Sequence, residues 1–169
     1  QLLAHDAPPP VTDSMRVKMI ETLAQASGSH GMAGGQALDL AAAGKTLSPA
    51  ELELMHVQKT GALIRASVLL GAYCGPNLDQ AVLSQLDRYA KRIGLAFQIQ
   101  DDILDETLGK TQGADRARNK PTYPALLGLN QARQIACDLR DAALDSLAGL
   151  DGRAEALRQL AHYIVTRTS

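Results

Sequence analysis

The chain has 169 residues and a formal net charge of −1, with 46% hydrophobic and 21% charged residues. That is one domain's length, enough to bury a core. The near-neutral charge, with no basic run or basic–aromatic interleaving, excludes the usual nucleic-acid binder. The apolar content is mostly Ala and Leu, with one Phe, four Tyr and no Trp, which favours close-packed helices over sheets.

The stretch from Gln1 to Pro10 has neither the basic start nor the apolar run of a signal peptide, and it lacks an initiator Met. The expectation is a chain that begins within something longer. No run of about eighteen apolar residues marks a membrane span. Cys74 and Cys137 lie far apart without metal-ligand spacing, which suits a reduced cytoplasmic protein with two buried thiols.

Pro8 to Pro10 form an extended lead-in. Thr12 or Asp13 then caps a helix to about Ser27, with Met15, Met19, Ile20 and Leu23 on its apolar side. Gly31, Gly34 and Gly35 follow, each costing a helix roughly 1 kcal/mol relative to Ala. Such a concentration signals close approach of another helix or a ligand to the backbone. Gln36 and Asp39, three apart, share a face just after them.

Ser48-Pro49-Ala50-Glu51 is a helix start, with Ser as N-cap, Pro at the first position and Glu closing a capping box. The helix runs to about Cys74, where Gly75-Pro76 stops it. Inside it lies Lys59-Thr60-Gly61, which reads in two ways. Lys59 is either a surface lysine, or a cation that faces a cavity with the Thr60 hydroxyl while Gly61 admits a ligand.

Asn77 caps the next helix, whose apolar ladder is Leu78, Val82, Leu86, Tyr89, Ile93, Phe97 and Leu104, with Gln100 its one polar rung. Near its end stands Asp101-Asp102-Ile103-Leu104-Asp105. At about 100° per residue, Gln98, Asp101, Asp102 and Asp105 share an arc of roughly 100°. Most of the remaining circumference is apolar, so the helix belongs inside a bundle. Three carboxylates there repel one another and lose hydration unless a cation or a wet cavity receives them. They read as oxygen ligands for a hard divalent ion, Mg²⁺ foremost. The alternative is an acidic, solvated face.

Gly109 to Pro124 reads as a loop holding Lys110 and Lys120. These are plain solvated charges, or cations suited to a diphosphate bridged to Mg²⁺ opposite the aspartates. Two helices close the chain, about Gln131 to Leu147 (capped by Asn130) and Ala154 to Thr166. No strand pattern appears, so the expectation is a single all-α domain. His30, His56 and His162 have no spaced partners and read as structural. No nucleophile triad, P-loop or dinucleotide fingerprint is present.

Gly34-Gly35-Gln36-Ala37-Leu38-Asp39-Leu40, Lys59 to Ile64, Gly94 to Asp105, and Gly109-Lys110 to Thr122-Tyr123-Pro124 occur in this order. Together they resemble the carboxyl-terminal part of the bacterial trans-isoprenyl diphosphate synthases, most closely the farnesyl-forming members, from Val11 onward. The resemblance implies a helical bundle of the isoprenoid synthase type, incomplete at its amino end. It also implies a homodimeric prenyltransferase joining isopentenyl diphosphate to dimethylallyl or geranyl diphosphate. Farnesyl diphosphate is the expected product, with geranylgeranyl or another chain length as the alternative.

By that resemblance Asp101, Asp102 and Asp105 form the second aspartate-rich motif, with Asp101 the foremost Mg²⁺ ligand. Lys59 and Lys110 match lysines that hold the allylic diphosphate, and Lys120 a third basic residue. Thr60 and Gln98 match residues lining the path of the allylic carbocation, and Gln36 and Asp39 a polar pair facing the same cavity. Two departures stand out. The family's first aspartate-rich motif, with its arginines, has no counterpart here. The link from Asp105 to Lys110 is also several residues shorter than the family's. A non-catalytic partner subunit is the rival reading, and the intact Lys59, Gln98, Asp101 and Asp105 count against it.

Overall fold

The fold is known from a computed structural model that describes residues 3, 11–75, 79–108 and 121–168. Every regular element among the described residues is helical. Helix α1 spans Asp13–Ser27, and the Thr12 hydroxyl caps it by accepting from the Met15 amide. Only Met19 of its expected inward residues is fully buried in the core; Ile20 and Leu23 are 43% and 38% exposed. Helix α2 spans Met32–Ala42.

Helix α3 (Pro49–His56) starts at the expected capping box, with the Ser48 hydroxyl and amide both engaging Glu51. Backbone and side-chain hydrogen bonds from Ser48 hold the Glu51 carboxyl below its usual range. A π-helical turn, Val57–Gly61, leads into α4 (Ala62–Tyr73) with all junction residues still right-handed helical. The expected single helix from Ser48 to about Cys74 is therefore real, but it is widened by one turn at Lys59-Thr60. Widened turns of this kind concentrate at functional positions.

Helix α5 is the long axis, Gln80–Leu108. Its expected cap, Asn77, and the first rung of its expected ladder, Leu78, fall outside the described residues, as do Lys110 and Lys120. The stretch read as a loop to Pro124 ends earlier than expected. The Thr122 hydroxyl accepts from Ala125 N–H and starts a short helix α6, Tyr123–Leu127, with Pro124 in its first turn. Helix α7 (Leu129–Ser146) begins after Gly128, at φ 86°, rather than at an Asn130 cap. A 3₁₀ turn (Gly152–Ala154), capped by Asp151, precedes α8 (Glu155–Thr166).

Helix α5 is enclosed because both sides of its apolar surface find partners. Leu95, Ile99 and Ile103 pack with Leu52 and Met55 of α3, Tyr123 of α6 and Ala132 and Ala136 of α7. Tyr89, Ala90, Ile93 and Ala96 pack with Ala143, Leu147, Ala161 and Ile164. Burying each large side chain contributes about 1.5–3 kcal/mol, and the small alanines let α7 and α8 come close. A third cluster of Val11, Met19, Leu69, Tyr73 and Leu83 fastens α1 to α4 and the start of α5. The expected pair of buried thiols is not found: Cys74 is exposed and Cys137 half-buried. Cys74 lies just past the end of α4, beyond the packed turns.

Candidate active site

Three helical segments bring several of the expected polar residues into contact. Gly35 of α2 lies against the backbone of the π turn, so close that a Cβ on it would stand 2.2 Å from the Lys59 nitrogen. Gly35 thus serves an approach between helices, one of the two uses expected of the cluster, whereas Gly31 and Gly34 lie against the main chain of Ala26 and Ser29 just before α2. That approach lets Lys59 Nζ donate to Asp39 Oδ2 at 2.7 Å. Asp39 is only 5% exposed, whereas the Lys59 side chain is 32% exposed. Gln36, half-buried one turn earlier, makes no side-chain hydrogen bond to another described residue.

On the other side of the π turn, Gly61 meets Gly94 of α5, where a Cβ on Gly94 would lie 3.2 Å from Gly61 Cα. This contact brings Thr60 to α5. Its Oγ1 donates to Gln98 Oε1 at 2.9 Å, and Gln98 Nε2 donates to Asp102 Oδ1 at 3.3 Å. Adjacent residues of one helix point about 100° apart, so Lys59 serves α2 while Thr60 serves α5.

The three aspartates of the motif have separate surroundings. Asp102 is 8% exposed, and its Oδ2 accepts from the Tyr123 amide at 3.1 Å. Both of its oxygens are thus held by protein donors. The His56 ring stacks on Tyr123, with centroids 5.7 Å apart, and places Nε2 3.4 Å from Asp102 Oδ2. That approach is not aligned as a hydrogen bond, and neither ring nitrogen has a hydrogen-bond partner among the described residues. His56 is buried as a structural residue should be, but it lies against the motif. Burial pushes the Tyr123 hydroxyl up to about 12, with the Glu53 and Asp102 carboxylates adding to the rise.

Asp101 is half-exposed and pairs with Arg167, whose Nη2 donates to Oδ1 at 3.0 Å. Asp105 is exposed one turn further along α5. Arg167 has no place among the sequence expectations. Nothing in the short stretch after α8 marks it, and it reaches α5 across 66 residues of chain.

Among the described residues no three carboxylate, His or Cys side chains converge into a ready-made metal cage. The donor set still fits Mg²⁺, which is commonly held by one or two carboxylates together with phosphate oxygens and water. Asp101 and Asp105 are hard oxygen donors four apart on one helix face, and both reach solvent.

Known proteins resemble the chain in both sequence and fold. The family model described as polyprenyl synthetase matches residues 3–157. The chain is 54% identical over 167 residues to the farnesyl diphosphate synthase of Escherichia coli K12, covering 94% of this chain and 56% of that protein. An FPP/GFPP synthase from Zymomonas mobilis superposes with a TM-score of 0.80 at 37% identity, covering 90% of this chain and 52% of that one. A geranyltransferase from Helicobacter pylori, complexed with magnesium and isoprenyl diphosphate, superposes at 0.75 with 27% identity, covering 97% and 54%. The chain spans about half the length of the curated relatives it matches. With the motifs in order, the helical bundle shared and the match running through most of its length, the chain belongs to the polyprenyl synthetase family.

Proposed function

We propose that the protein carrying this chain is a trans-prenyltransferase that condenses isopentenyl diphosphate with dimethylallyl or geranyl diphosphate to give farnesyl diphosphate. The observation that carries this reading is the Thr60–Gln98 hydrogen bond. It ties the lysine-bearing turn to the aspartate helix in a chain 54% identical to a farnesyl diphosphate synthase.

Each residue has a role that follows from its setting. Lys59, one-third exposed, offers an ammonium to a departing diphosphate, and Asp39 behind it fixes its direction. Gln98 donates through Nε2 to Asp102 and accepts at Oε1 from Thr60, so its amide cannot turn over. Its carbonyl oxygen therefore faces Thr60 and the side from which an allylic cation would be stabilised. Asp101 and Asp105 would hold Mg²⁺, which when bound supplies the positive charge that eases departure of the diphosphate. Asp102, sequestered by its protein partners, orders Gln98 and the start of α6.

By the family resemblance Lys110 and Lys120, which lie outside the described residues, add further positive charge for the diphosphate, and Gln36 lies one turn before Asp39 on α2. The protein works as a homodimer. The apolar Val17, Ile20 and Leu23 left exposed along α1 suit such self-association.

The test is Mg²⁺-dependent conversion of isopentenyl and geranyl diphosphates to farnesyl diphosphate by the full-length protein, followed by chromatography. Thr60→Val should lower turnover at least tenfold with little change in melting temperature. Absence of any prenyl product with either allylic substrate would overturn the assignment.

A further inference from the structure

Arg167 is held to α5 at three points. Its backbone carbonyl accepts from Gln100 Nε2 at 3.2 Å. Its guanidinium carbon lies 4.6 Å from the centre of the Phe97 ring, and its Nη2 reaches Asp101 Oδ1 at 3.0 Å. Phe97, Gln100 and Asp101 are spaced by three and four on α5 and so form one stripe. The Arg167 side chain is only 14% exposed, and its buried Nε has no hydrogen-bond partner. A guanidinium sequestered this way, with a donor left unused, carries a desolvation penalty that a simple surface pair does not.

Two of the site's charges are thereby matched within the protein: Lys59 by Asp39, and Asp101 by Arg167. A divalent cation approaching Asp101 alone meets a fixed positive charge on the carboxylate it needs. An incoming diphosphate changes the balance, because a planar guanidinium fork is well suited to phosphate oxygens.

We propose that Arg167 is an internal counter-ion that couples metal binding to diphosphate binding. It occupies Asp101 against the metal alone, and it transfers to a phosphate oxygen when metal and diphosphate arrive together. The proposal rests on the prenyltransferase reading, and linkage makes its consequence measurable: removing Arg167 must strengthen binding of the metal alone and reduce the gain that diphosphate brings.

The experiment is calorimetric titration of Mg²⁺ into the full-length protein, with and without inorganic pyrophosphate, for wild type, Arg167→Met and Phe97→Leu. In Arg167→Met the affinity for Mg²⁺ alone should rise about fivefold or more, and the tightening by pyrophosphate should shrink by the same factor. Phe97→Leu keeps both charges but removes the ring beneath the guanidinium. It should move both quantities the same way by less, and it serves if Arg167→Met fails to fold. Unchanged or weakened Mg²⁺ binding in the folded variants overturns the proposal while leaving the enzyme reading intact. A wild type that binds no Mg²⁺ even with pyrophosphate overturns both.

Discussion

Gly35 and Lys59 are packed backbone to backbone: a Cβ on the glycine would stand 2.2 Å from the lysine nitrogen and 2.5 Å from its Cα. Neither neighbour can yield, since both are main chain inside helices. Gly35→Ala should therefore cost about 1–3 kcal/mol by overpacking and push Lys59 away from Asp39. Gly71 is the control, an exposed glycine of α4 whose added Cβ meets nothing within 4 Å. Gly71→Ala should stabilise by up to about 1 kcal/mol through helix propensity. Urea unfolding of the two variants checks the contrast, and equal effects would remove the packing argument.

The Lys59–Asp39 pair makes a single substitution at Lys59 ambiguous. Removing the ammonium takes a close positive partner from a carboxylate that is only 5% exposed, so Lys59→Ala should lose about 1–3 kcal/mol of stability as well as diphosphate affinity. Adding Asp39→Asn should restore part of the stability, because the uncompensated charge is gone, but none of the affinity. Melting temperature and the KM for the allylic diphosphate, measured on both single variants and the double, separate the two effects. Recovery of KM in the double variant would show that Lys59 does not touch the diphosphate.

The parts of this site that could be read from sequence are those set by local spacing. The Ser48–Glu51 capping box fixes where α3 starts, and the three-and-four ladder around Tyr89 and Ile93 fixes the long axis. The glycines before Gln36 announce a close approach without saying to what. What escaped depends on distant chain segments meeting. Arg167 reaches Asp101, and His56 reaches Asp102, through tertiary packing that leaves no periodic trace. Helix α6 escaped for another reason: Pro121 and Pro124 look like loop residues, although Thr122 before Tyr123-Pro124 is a helix cap with proline in the first turn. Ile20 and Leu23 sit on the expected stripe of α1, but the described part of the fold offers no surface to cover them.

Two tyrosines give the fold an alkaline limit. Burial pushes the Tyr89 hydroxyl up to about 12, and it donates to the Leu157 carbonyl at 2.7 Å, a bond its ionised form cannot make. Tyr123 is raised to about 12 as well, by burial first and then by nearby carboxylates. Because the folded values lie above the unfolded value near 10, their contribution is fully present below about pH 10. It is lost as pH rises through about 12. Stability measured by denaturant should therefore fall across that window. Tyr89→Phe should flatten part of the fall, and spectrophotometric titration should show two phenols ionising late. Tyrosines that all titrate near 10 in the folded protein would contradict this.

Asp101 and Asp102 are adjacent in sequence and opposite in kind, so the same substitution should fail in different ways. Asp101 is half-exposed, and its partner among the described residues is Arg167. Asp101→Ala takes the counter-charge from a largely buried guanidinium and should cost about 1–2 kcal/mol, less than the loss at Asp102, while reducing Mg²⁺-dependent turnover by about a hundredfold or more. Asp102 is buried and satisfies the Tyr123 amide and the Gln98 amide group. Asp102→Ala leaves both donors without an acceptor and should cost about 2–4 kcal/mol of stability. Asp102→Asn is the sharper probe. It can still accept from Tyr123, but its own amide NH₂ then faces the Gln98 NH₂, and relieving that clash turns the Gln98 oxygen away from Thr60. Turnover should drop about tenfold or more with only a modest loss of stability, and the Thr60→Val change should add little to the loss of turnover, since the Gln98 oxygen has already turned away and Thr60 is left accepting from the Gln98 NH₂. Denaturant curves and turnover numbers for the three variants decide it. An Asp102→Ala protein as stable as Asp101→Ala would show that the carboxylate faces the metal and not the core.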